Sequence, residues 1–288
     1  MPDAVTVDAL HSGDHACLTF SDPDERLDLL AAFVSDGLLA GHKVLCWTDA
    51  ISPDELSAEL SDRAAKIREA LDSGQLGVEA AAQTLLGGGP PVAQTMLGIL
   101  ADQVDLAGRE GYPVLRVTTD MGWATRPLAA ADELVSFERK LAGLVPPGRL
   151  CMICEYDRER FDAVTLAFAA KAHDKTVAAL AYHDDPLLRI CRQYSPPGVR
   201  IAGELDYRHL PELDTALAEA VRLDDQLFVN LARLDYIDAA SASAIVRTAL
   251  GLPAERRMTV ICHGLVARML VLVGAEAAEQ LHQRRPHG

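Results

Sequence analysis

The chain has 288 residues, of which 49% are hydrophobic and 24% charged, in the proportions of a globular protein that can bury a core. Its length suggests two domains. Its formal net charge of −15 at pH 7 excludes a broad basic surface for nucleic acid or for an anionic membrane. The N-terminus has no signal-peptide pattern, and no apolar run is long enough to span a membrane, so we expect a cytoplasmic protein.

The first predicted elements form a β-α-β unit. Residues 15–20 have the pattern of a strand, Asp22 and Pro23 begin a helix, and residues 44–47 form the next strand. Such a unit predicts a parallel sheet with a right-handed crossover. The loop at 20–25 has three carboxylates and neither Gly nor Lys, so it would repel a phosphate group instead of binding it.

Strands and helices continue to alternate up to about residue 183. The predicted helices cover 52–71, 92–107, 127–144 and 160–173, and further strands begin at 74, 114 and 150. This alternation predicts a doubly wound α/β domain with a parallel sheet at residues 10–183. The composition changes near residues 182–186, which we take as the boundary to a second α/β domain at 186–283.

The second domain contains a strand that leads into a helix whose first residues are small. Asp238 precedes this run and is a typical N-cap, because its carboxylate can accept the unpaired amide protons of the first turn. Ala239 and Ala240 add almost no side-chain bulk, so the backbone of another protein could lie closely on this helix start. The other predicted strands lie at 187–190, 199–206 and 258–262, and the other helices at 210–221 and from 265 onward.

Motifs along the first domain resemble those of the MEDS family of sensory domains. They are GDHAC at 13–17, GLLAGHKV at 37–44, GQL at 74–76, GYPVLRV at 111–117, DMGW at 120–123, FE at 137–138, CEYD at 154–157 and His173. The resemblance implies a fold similar to RecA-like ATPases that have lost the phosphate loop. It also implies a role in sensing small ligands, such as hydrocarbon derivatives. Where this chain has Asp120, the family usually has Glu.

The second domain resembles the STAS family, the fold of anti-sigma-factor antagonists. The matching pieces are GELD at 203–206, NLARLDYID at 230–238, VIC at 260–262 and VARMLVLVG at 266–274. The resemblance implies that an anti-sigma factor, or a similar kinase-like ATP-binding protein, is bound around the loop after Asp238. The contact residues implied are Asp206, Asp238, Ala239, Ala240, Ser241 and Ser243.

One position departs from the STAS pattern. The family's loop usually reads Ser/Thr-Ser-Gly, and its second residue is the serine that the partner phosphorylates. Ala240 occupies that position here and has no hydroxyl group, so the usual off-switch is absent. Ser241 and Ser243 are the nearby hydroxyls that could replace it, although serines in the first turn of a helix are commonly structural.

We predict a small-molecule site in the first domain, because open α/β sheets bind ligands at the carboxyl ends of their strands. Aromatic rings with a few polar groups suit such a site. The predicted lining residues are His15, Cys17, Phe20, Trp47, Asp120, Trp123, Cys154 and Glu155. The alternative for both tryptophans is that they pack in the core or at the domain interface.

A redox or metal sensor is an alternative function for part of this set. His15 and Cys17 are two residues apart on one strand and share a face, and Cys154 lies on a strand that could be a neighbour. Such a group could bind zinc or sense oxidation. All six cysteines lie in apolar segments, however, where thiols are common core residues. We therefore expect neither a metal nor another cofactor.

The expected function is that of a cytoplasmic signalling protein in transcription regulation, and not of an enzyme. A sensory first domain would control a second domain that binds an anti-sigma factor or a kinase-like ATP-binding protein. A small-molecule ligand and a homodimer are compatible with this function. A less favoured alternative is a degenerate nucleotide hydrolase that uses Asp120 and Glu155 near a metal, and no Ser-His-Asp or Cys-His arrangement is recognisable.

Overall fold

The computed structural model describes residues 3–126, 129–141, 143 and 148–286. The chain forms two compact units, Met1–Ala178 and Ala179–Gly288. The division lies before the predicted boundary at 182–186, since the strand at Ala181–Asp184 pairs within the second unit. Among the helices of the described residues, none combines the length and the apolar character that a membrane crossing requires.

The first unit is built on a seven-stranded parallel sheet. Its strands are β1 (Asp3–Val5), β2 (His15–Phe20), β3 (Lys43–Thr48), β4 (Leu76–Ala80), β5 (Leu115–Asp120), β6 (Leu150–Asp157) and β7 (Lys175–Val177). They lie in the order β1-β7-β2-β6-β5-β3-β4, and each neighbouring pair is parallel. The predicted adjacency of the strands that carry Cys17 and Cys154 is confirmed, because these two residues are register partners on β2 and β6.

Helices cover both faces of this sheet. They are α1 (Pro23–Leu39), α2 (Pro53–Arg63), α3 (Lys66–Ser73), α4 (Ala93–Arg109), α5 (Ala129–Leu141) and α6 (Ala163–Ala172). The first three contact one another on one face, and α5 contacts both α4 and α6 on the other. The predicted doubly wound α/β fold is thereby confirmed.

Local signals set several helix boundaries. The Asp22 carboxylate accepts a hydrogen bond from the amide of Asp24 and caps α1, as its position before Pro23 predicted. The predicted single helix at 52–71 is two helices, because Ala64 takes an extended backbone between α2 and α3. Of the helix predicted at 127–144, residues 129–141 form α5, and residues 127, 128, 142 and 144 lie outside the described part of the chain.

The second unit has a six-stranded mixed sheet. Its strands are β8 (Ala181–Asp184), β9 (Leu188–Tyr194), β10 (Pro197–Leu205), β11 (Leu227–Ile237), β12 (Met258–Ile261) and β13 (Leu281–Arg284), and its helices are α7 (Leu210–Leu223), α8 (Ala239–Leu250) and α9 (Gly264–Leu272). The order is β13-β12-β11-β10-β9-β8. Pairs from β10 to β13 are parallel, and β8, β9 and β10 are antiparallel neighbours. A mixed sheet combined with helices confirms the predicted α/β fold class of the C-terminal region.

Each unit has its own apolar core. Trp47 and Trp123 are buried in the core of the first unit, among residues from β2, β5 and α4. Burial in the core is the alternative that the sequence left open for both rings.

Candidate functional site

Two consecutive residues of β6 place polar groups on opposite faces of the first sheet. Side chains alternate along a strand, so the Cys154 and Glu155 side chains point away from each other. Cys154 faces the side that α5 and α6 cover, and Glu155 faces the side that α1 covers. A buried polar cluster surrounds each of them.

The acceptor cluster consists of His15, Glu138, Cys154 and His173. Its ligand-type atoms all lie within 4.8 Å of one another. His15 Nε2 is 3.2 Å from Glu138 Oε2 and 3.3 Å from Cys154 Sγ, and His173 Nε2 is 3.4 Å from Glu138 Oε2. The His15 side chain is 13% exposed, whereas those of Glu138 and His173 are fully buried. Four groups that can bind a cation therefore converge in a site with one slightly exposed member.

Neighbouring groups hold two members of the acceptor cluster in place. The Tyr156 hydroxyl donates a hydrogen bond of 2.5 Å to Glu138 Oε1. His173 Nδ1 lies 2.7 Å from the carbonyl oxygen of Ala169, to which it donates when it carries the proton. Within the described residues, His173 Nε2 has no hydrogen-bond partner, whereas Glu138 Oε2 has His15 Nε2 at 3.2 Å as a possible donor. His173 Nε2 thus points at an oxygen to which it cannot donate when its proton is on Nδ1.

The protonation states follow from burial and from these contacts. Burial lowers the pKa of His173, which favours the neutral imidazole at neutral pH. Burial alone would raise the pKa of Glu138, but His173, His15 and the Tyr156 hydrogen bond outweigh it and hold the pKa below its ordinary value. Burial and the Glu138 charge raise the pKa of Cys154 and of Tyr156 well above their ordinary values. The cluster thus holds an ionised Glu138 carboxylate beside a neutral His173 imidazole and a neutral Cys154 thiol.

The arginine cluster, Arg26 with Asp120 and Glu155, lies on the other face. Arg26 Nε donates to Glu155 at 2.5 Å, and its Nη2 donates to Asp120 at 3.2 Å. Asp120 also accepts hydrogen bonds from the backbone amides of Ala50 and Gly122. Burial, with Asp120 adding to it, raises the pKa of Glu155. In this cluster the acidic groups already have cationic and amide donors.

The eight predicted ligand-binding residues do not form one site. His15 and Cys154 belong to the acceptor cluster. Cys17 lies beside Cys154 in the sheet without joining the four, and burial raises its pKa to about 12. Asp120 and Glu155 belong to the arginine cluster, where the Arg26 guanidinium also stacks over the Phe20 ring at 5.1 Å. Trp47 and Trp123 lie in the core.

Glu138 and His173 were not among the predicted site residues. Both occurred in the motifs of the family resemblance, but they lie on or at the end of helices far along the chain from His15. Glu138 had a signal that could have identified it. It follows Phe137 and lies on the same helix face as Leu134 and Leu141, which are buried. A carboxylate on an apolar helix stripe needs a partner inside the protein.

A cavity of about 830 Å³ lies where β5 and β6 end. Its lining comes from the 3-10 helix Met121–Thr125 after β5, from the segment after β6, and from α5 and α6. The lining residues are Ala124, Thr125, Arg126, Ala131, Leu134, Val135, Arg139, Arg160, Phe161, Asp162, Val164, Thr165 and Phe168. None of the eight predicted residues is among them, although the cavity lies at the predicted carboxyl edge of the sheet.

The loop at Asp238 connects two segments of the second unit. The Asp238 carboxylate accepts hydrogen bonds of 2.8 Å from the amides of Ser241 and Tyr207. The first bond caps α8, as the sequence predicted. Ala239 and Ala240 are exposed at the start of the helix. Two tyrosines border the same loop and are largely exposed, Tyr207 at 65% and Tyr236 at 52%.

The remaining predicted partner-binding residues have different environments. Asp206 caps the 3-10 helix Tyr207–His209, and its carboxylate accepts three hydrogen bonds from the Arg208 side chain. Ser241 is fully buried. The Ser243 hydroxyl donates a hydrogen bond of 2.6 Å to the carbonyl oxygen of Ala239. Both serines are thus less accessible than Ala240.

Comparisons with known proteins identify the first unit. A family model described as the MEthanogen/methylotroph, DcmR Sensory domain, MEDS, matches residues 14–174. This match confirms the resemblance of the first domain, and it extends over more than half of the chain. No curated protein matches the sequence. The STAS resemblance of the second unit stays a prediction.

Three solved structures are similar to this chain at low sequence identity. The flagellar accessory protein FlaH from Methanocaldococcus jannaschii is 10% identical over 64% of this chain and 79% of its own, with a TM-score of 0.44. The KaiC-like protein PH0186 from Pyrococcus horikoshii OT3 is 13% identical over 67% and 80%, with a TM-score of 0.47. The uncharacterised protein PH0321 from Pyrococcus horikoshii, solved with an unknown peptide, is 14% identical over 66% and 93%, with a TM-score of 0.48.

Proposed function

Because this chain belongs to the MEDS family of sensory domains, we propose that it is a signalling protein with a sensing unit and a partner-binding unit. The first unit would sense a small molecule. The second unit would act as a STAS domain and bind an anti-sigma factor or a similar kinase-like ATP-binding protein. Transcription regulation would follow, because capture of an anti-sigma factor releases its sigma factor.

The exposed start of α8 is the observation that carries the partner-binding part. Ala239 and Ala240 leave the helix backbone uncovered, and Asp238 holds this start against the loop at Tyr207. Tyr207 and Tyr236 place two exposed aromatic rings beside it. Tyrosines that bury on association often contribute strongly to binding, and small residues allow a close backbone approach. This combination supports a protein-binding surface.

Control by a ligand would replace control by phosphorylation. Ala240 has no hydroxyl at the position that the STAS partner would phosphorylate, and Ser241 is buried. The sensing unit offers a cavity with apolar walls and three arginines, Arg126, Arg139 and Arg160. Arg126 and Arg160 are ion-paired with Asp49, and Asp162 also lines the cavity. We propose that the cavity takes a small, largely apolar molecule. A ligand can control partner binding when it binds two states of the protein with different affinity.

We also propose that the chain is not a nucleotide hydrolase. The carboxylates of Asp120 and Glu155 are the groups that a catalytic metal would need. Both already bind the Arg26 guanidinium, and Asp120 accepts two backbone amides in addition. This arrangement supports a structural role for the pair.

Partner binding by Ala240→Asp tests the proposed function. The full-length protein is titrated with each kinase-like anti-sigma protein of the host, and affinity is measured by calorimetry. We expect one partner to bind the wild type, and Ala240→Asp to bind it at least tenfold more weakly, because a charge would be buried in the interface. The fold should tolerate the change, since an acidic side chain in the first turn suits the helix dipole.

Ala277→Asp is the matched control, because Ala277 is also an exposed alanine of the second unit. It should bind the partner like the wild type. Equal affinities for wild type and Ala240→Asp would contradict the assigned surface, and the absence of binding to every such protein would contradict the proposed partner class. Native mass spectrometry of the protein purified from its own host should show a bound small molecule.

A further inference from the structure

We propose that the acceptor cluster, His15, Glu138, Cys154 and His173, is a binding site for one divalent transition-metal ion, with zinc as the preferred metal. The four residues come from β2, α5, β6 and the end of α6, so the tertiary fold assembles the site. Two imidazoles, a carboxylate and a thiolate are ligands that zinc accepts in proteins. The proposal does not depend on partner binding, because each could occur without the other.

The spacing of the side chains fits four-coordinate zinc. Bonds of about 2.0–2.3 Å in a tetrahedral site place neighbouring nitrogen and oxygen ligands ~3.4 Å apart, and nitrogen and sulfur ligands ~3.6 Å apart. The cluster has nitrogen-to-oxygen distances of 3.2 Å and 3.4 Å, and a nitrogen-to-sulfur distance of 3.3 Å. Three of the six distances between the four ligand atoms are thus already close to tetrahedral spacing, and the other three lie within 4.8 Å.

The orientation of His173 leaves a lone pair without a donor. Its Nδ1 is directed at the Ala169 carbonyl oxygen, so in the neutral imidazole the proton lies on Nδ1 and the lone pair on Nε2. That lone pair points at Glu138 Oε2, itself an acceptor, across 3.4 Å. His173 Nε2 has no hydrogen-bond partner among the described residues, and the possible donor near Glu138 Oε2 is His15, another member of the cluster, at 3.2 Å. Two buried acceptors that face each other are unfavourable, and a cation between them would satisfy both.

The charge of the site also suits a divalent ion. The Glu138 carboxylate is fully buried, and a buried charge requires compensation. When Cys154 binds the ion as a thiolate and its proton leaves to solvent, two negative charges balance the two positive charges of the metal. The loaded site would then be neutral overall, which the surrounding apolar core requires.

Groups around the cluster have the roles of outer-shell partners in metal sites. Ligating histidines usually donate their other ring N–H to a carbonyl or carboxylate, and ligating carboxylates are themselves hydrogen-bonded. His173 with the Ala169 carbonyl, and Glu138 with the Tyr156 hydroxyl, show these two arrangements. The 13% exposure of the His15 side chain provides an edge at which the ion can enter.

Cobalt and zinc titrations of the chelator-treated, reduced full chain test the proposal. We expect one equivalent of Co²⁺ to bind and to produce thiolate-to-cobalt charge-transfer absorption in the near ultraviolet. Zinc should displace the cobalt and abolish the absorption. In Cys154→Ser the charge-transfer band should disappear, and in His15→Gln the affinity should fall at least tenfold.

Cys151→Ser is the matched control, because Cys151 is a buried thiol of the same strand whose odd spacing from Cys154 directs it to the other face. It should bind cobalt with the wild-type spectrum and affinity. His15→Gln changes the most exposed ligand, so it keeps the proposal testable when Cys154→Ser does not fold. Absence of a stoichiometric, thiolate-bound ion in the folded wild type would overturn the proposal, as would wild-type spectra and affinities in both ligand variants.

Discussion

The two faces of the first sheet carry buried polar clusters that differ in how their groups are paired. In the arginine cluster each carboxylate meets the guanidinium of Arg26, so acceptors face donors. In the acceptor cluster Glu138 Oε2 and His173 Nε2 face each other, so acceptors face acceptors. The first arrangement compensates its buried charges within the protein, although Glu155 Oε1 has no hydrogen-bond partner among the described residues. The second leaves acceptor atoms that a cation could join, as in the metal site that we propose.

Replacing Arg26 should have the largest effect on stability. Arg26→Met would leave the carboxylates of Asp120 and Glu155 buried without their cation, at a cost of about 3–5 kcal/mol in the free energy of unfolding. Urea unfolding followed by tryptophan fluorescence measures this loss in the first unit, because Trp47 and Trp123 both lie there.

Arg68→Met is the control, since Arg68 is exposed on α3, and it should unfold like the wild type. If Arg26→Met were as stable as this control, the carboxylates would not depend on the guanidinium. The ion pairs of the arginine cluster would then not stabilise the fold, contrary to the comparison of the two clusters.

Removing the Tyr156 hydroxyl should have an intermediate effect. Tyr156→Phe keeps the ring but deletes the donor to Glu138 Oε1, which should cost about 2 kcal/mol because the acceptor is charged and buried. Metal affinity should also fall by about 10–100-fold, as expected for the loss of an outer-shell partner. Tyr112→Phe, which removes a hydroxyl from a half-buried ring of the same unit, should change neither quantity. Unchanged metal affinity in Tyr156→Phe would indicate that Glu138 is not a ligand of the metal.

The smallest effect is expected at a carboxylate that is neither fully buried nor part of a cluster. Asp238→Ala removes the cap of α8 and the bond to the Tyr207 amide, at a cost of about 1 kcal/mol. Hydrogen exchange followed by mass spectrometry should show faster exchange at the amides of Ser241 and Tyr207. Asp225→Ala, at an exposed position of the same unit, should leave these rates unchanged. If Asp238→Ala lowered the free energy of unfolding as much as Arg26→Met does, the burial of the carboxylate would not determine the size of these losses.

Local patterns in the sequence were sufficient to predict much of the fold. The strand at His15–Phe20, the cap at Asp22 and the cap at Asp238 follow from alternation and from short-range hydrogen bonding, and each is present. The short strands β1, β7, β8 and β13 were not predicted. They have three or four residues each, which is too short for alternation to distinguish them from loops.

The composition of the polar clusters was harder to predict, because it depends on how helices dock on the sheet. The adjacency of Cys17 and Cys154 follows from strand pairing, whereas the approach of Glu138 and His173 to His15 requires the placement of α5 and α6. The sequence also placed Asp120 and Glu155 in a ligand site, since nothing in their own segments indicates that Arg26 reaches both. The sequence thus did not reveal which residues, distant along the chain, pair with the buried charges.

The neighbouring positions of Cys154 and Glu155 have a consequence for how the chain reaches its native pairing. If β6 slipped by one residue against β2 and β5, every side chain of the strand would change faces. Glu155 would then point at the Glu138 carboxylate, and Arg26 would keep Asp120 but lose Glu155. The two carboxylates would be buried side by side without a cation, so the slipped arrangement is strongly disfavoured. The Cys154 thiol and the Glu155 carboxylate together favour a single register of β6, the central strand of the sheet.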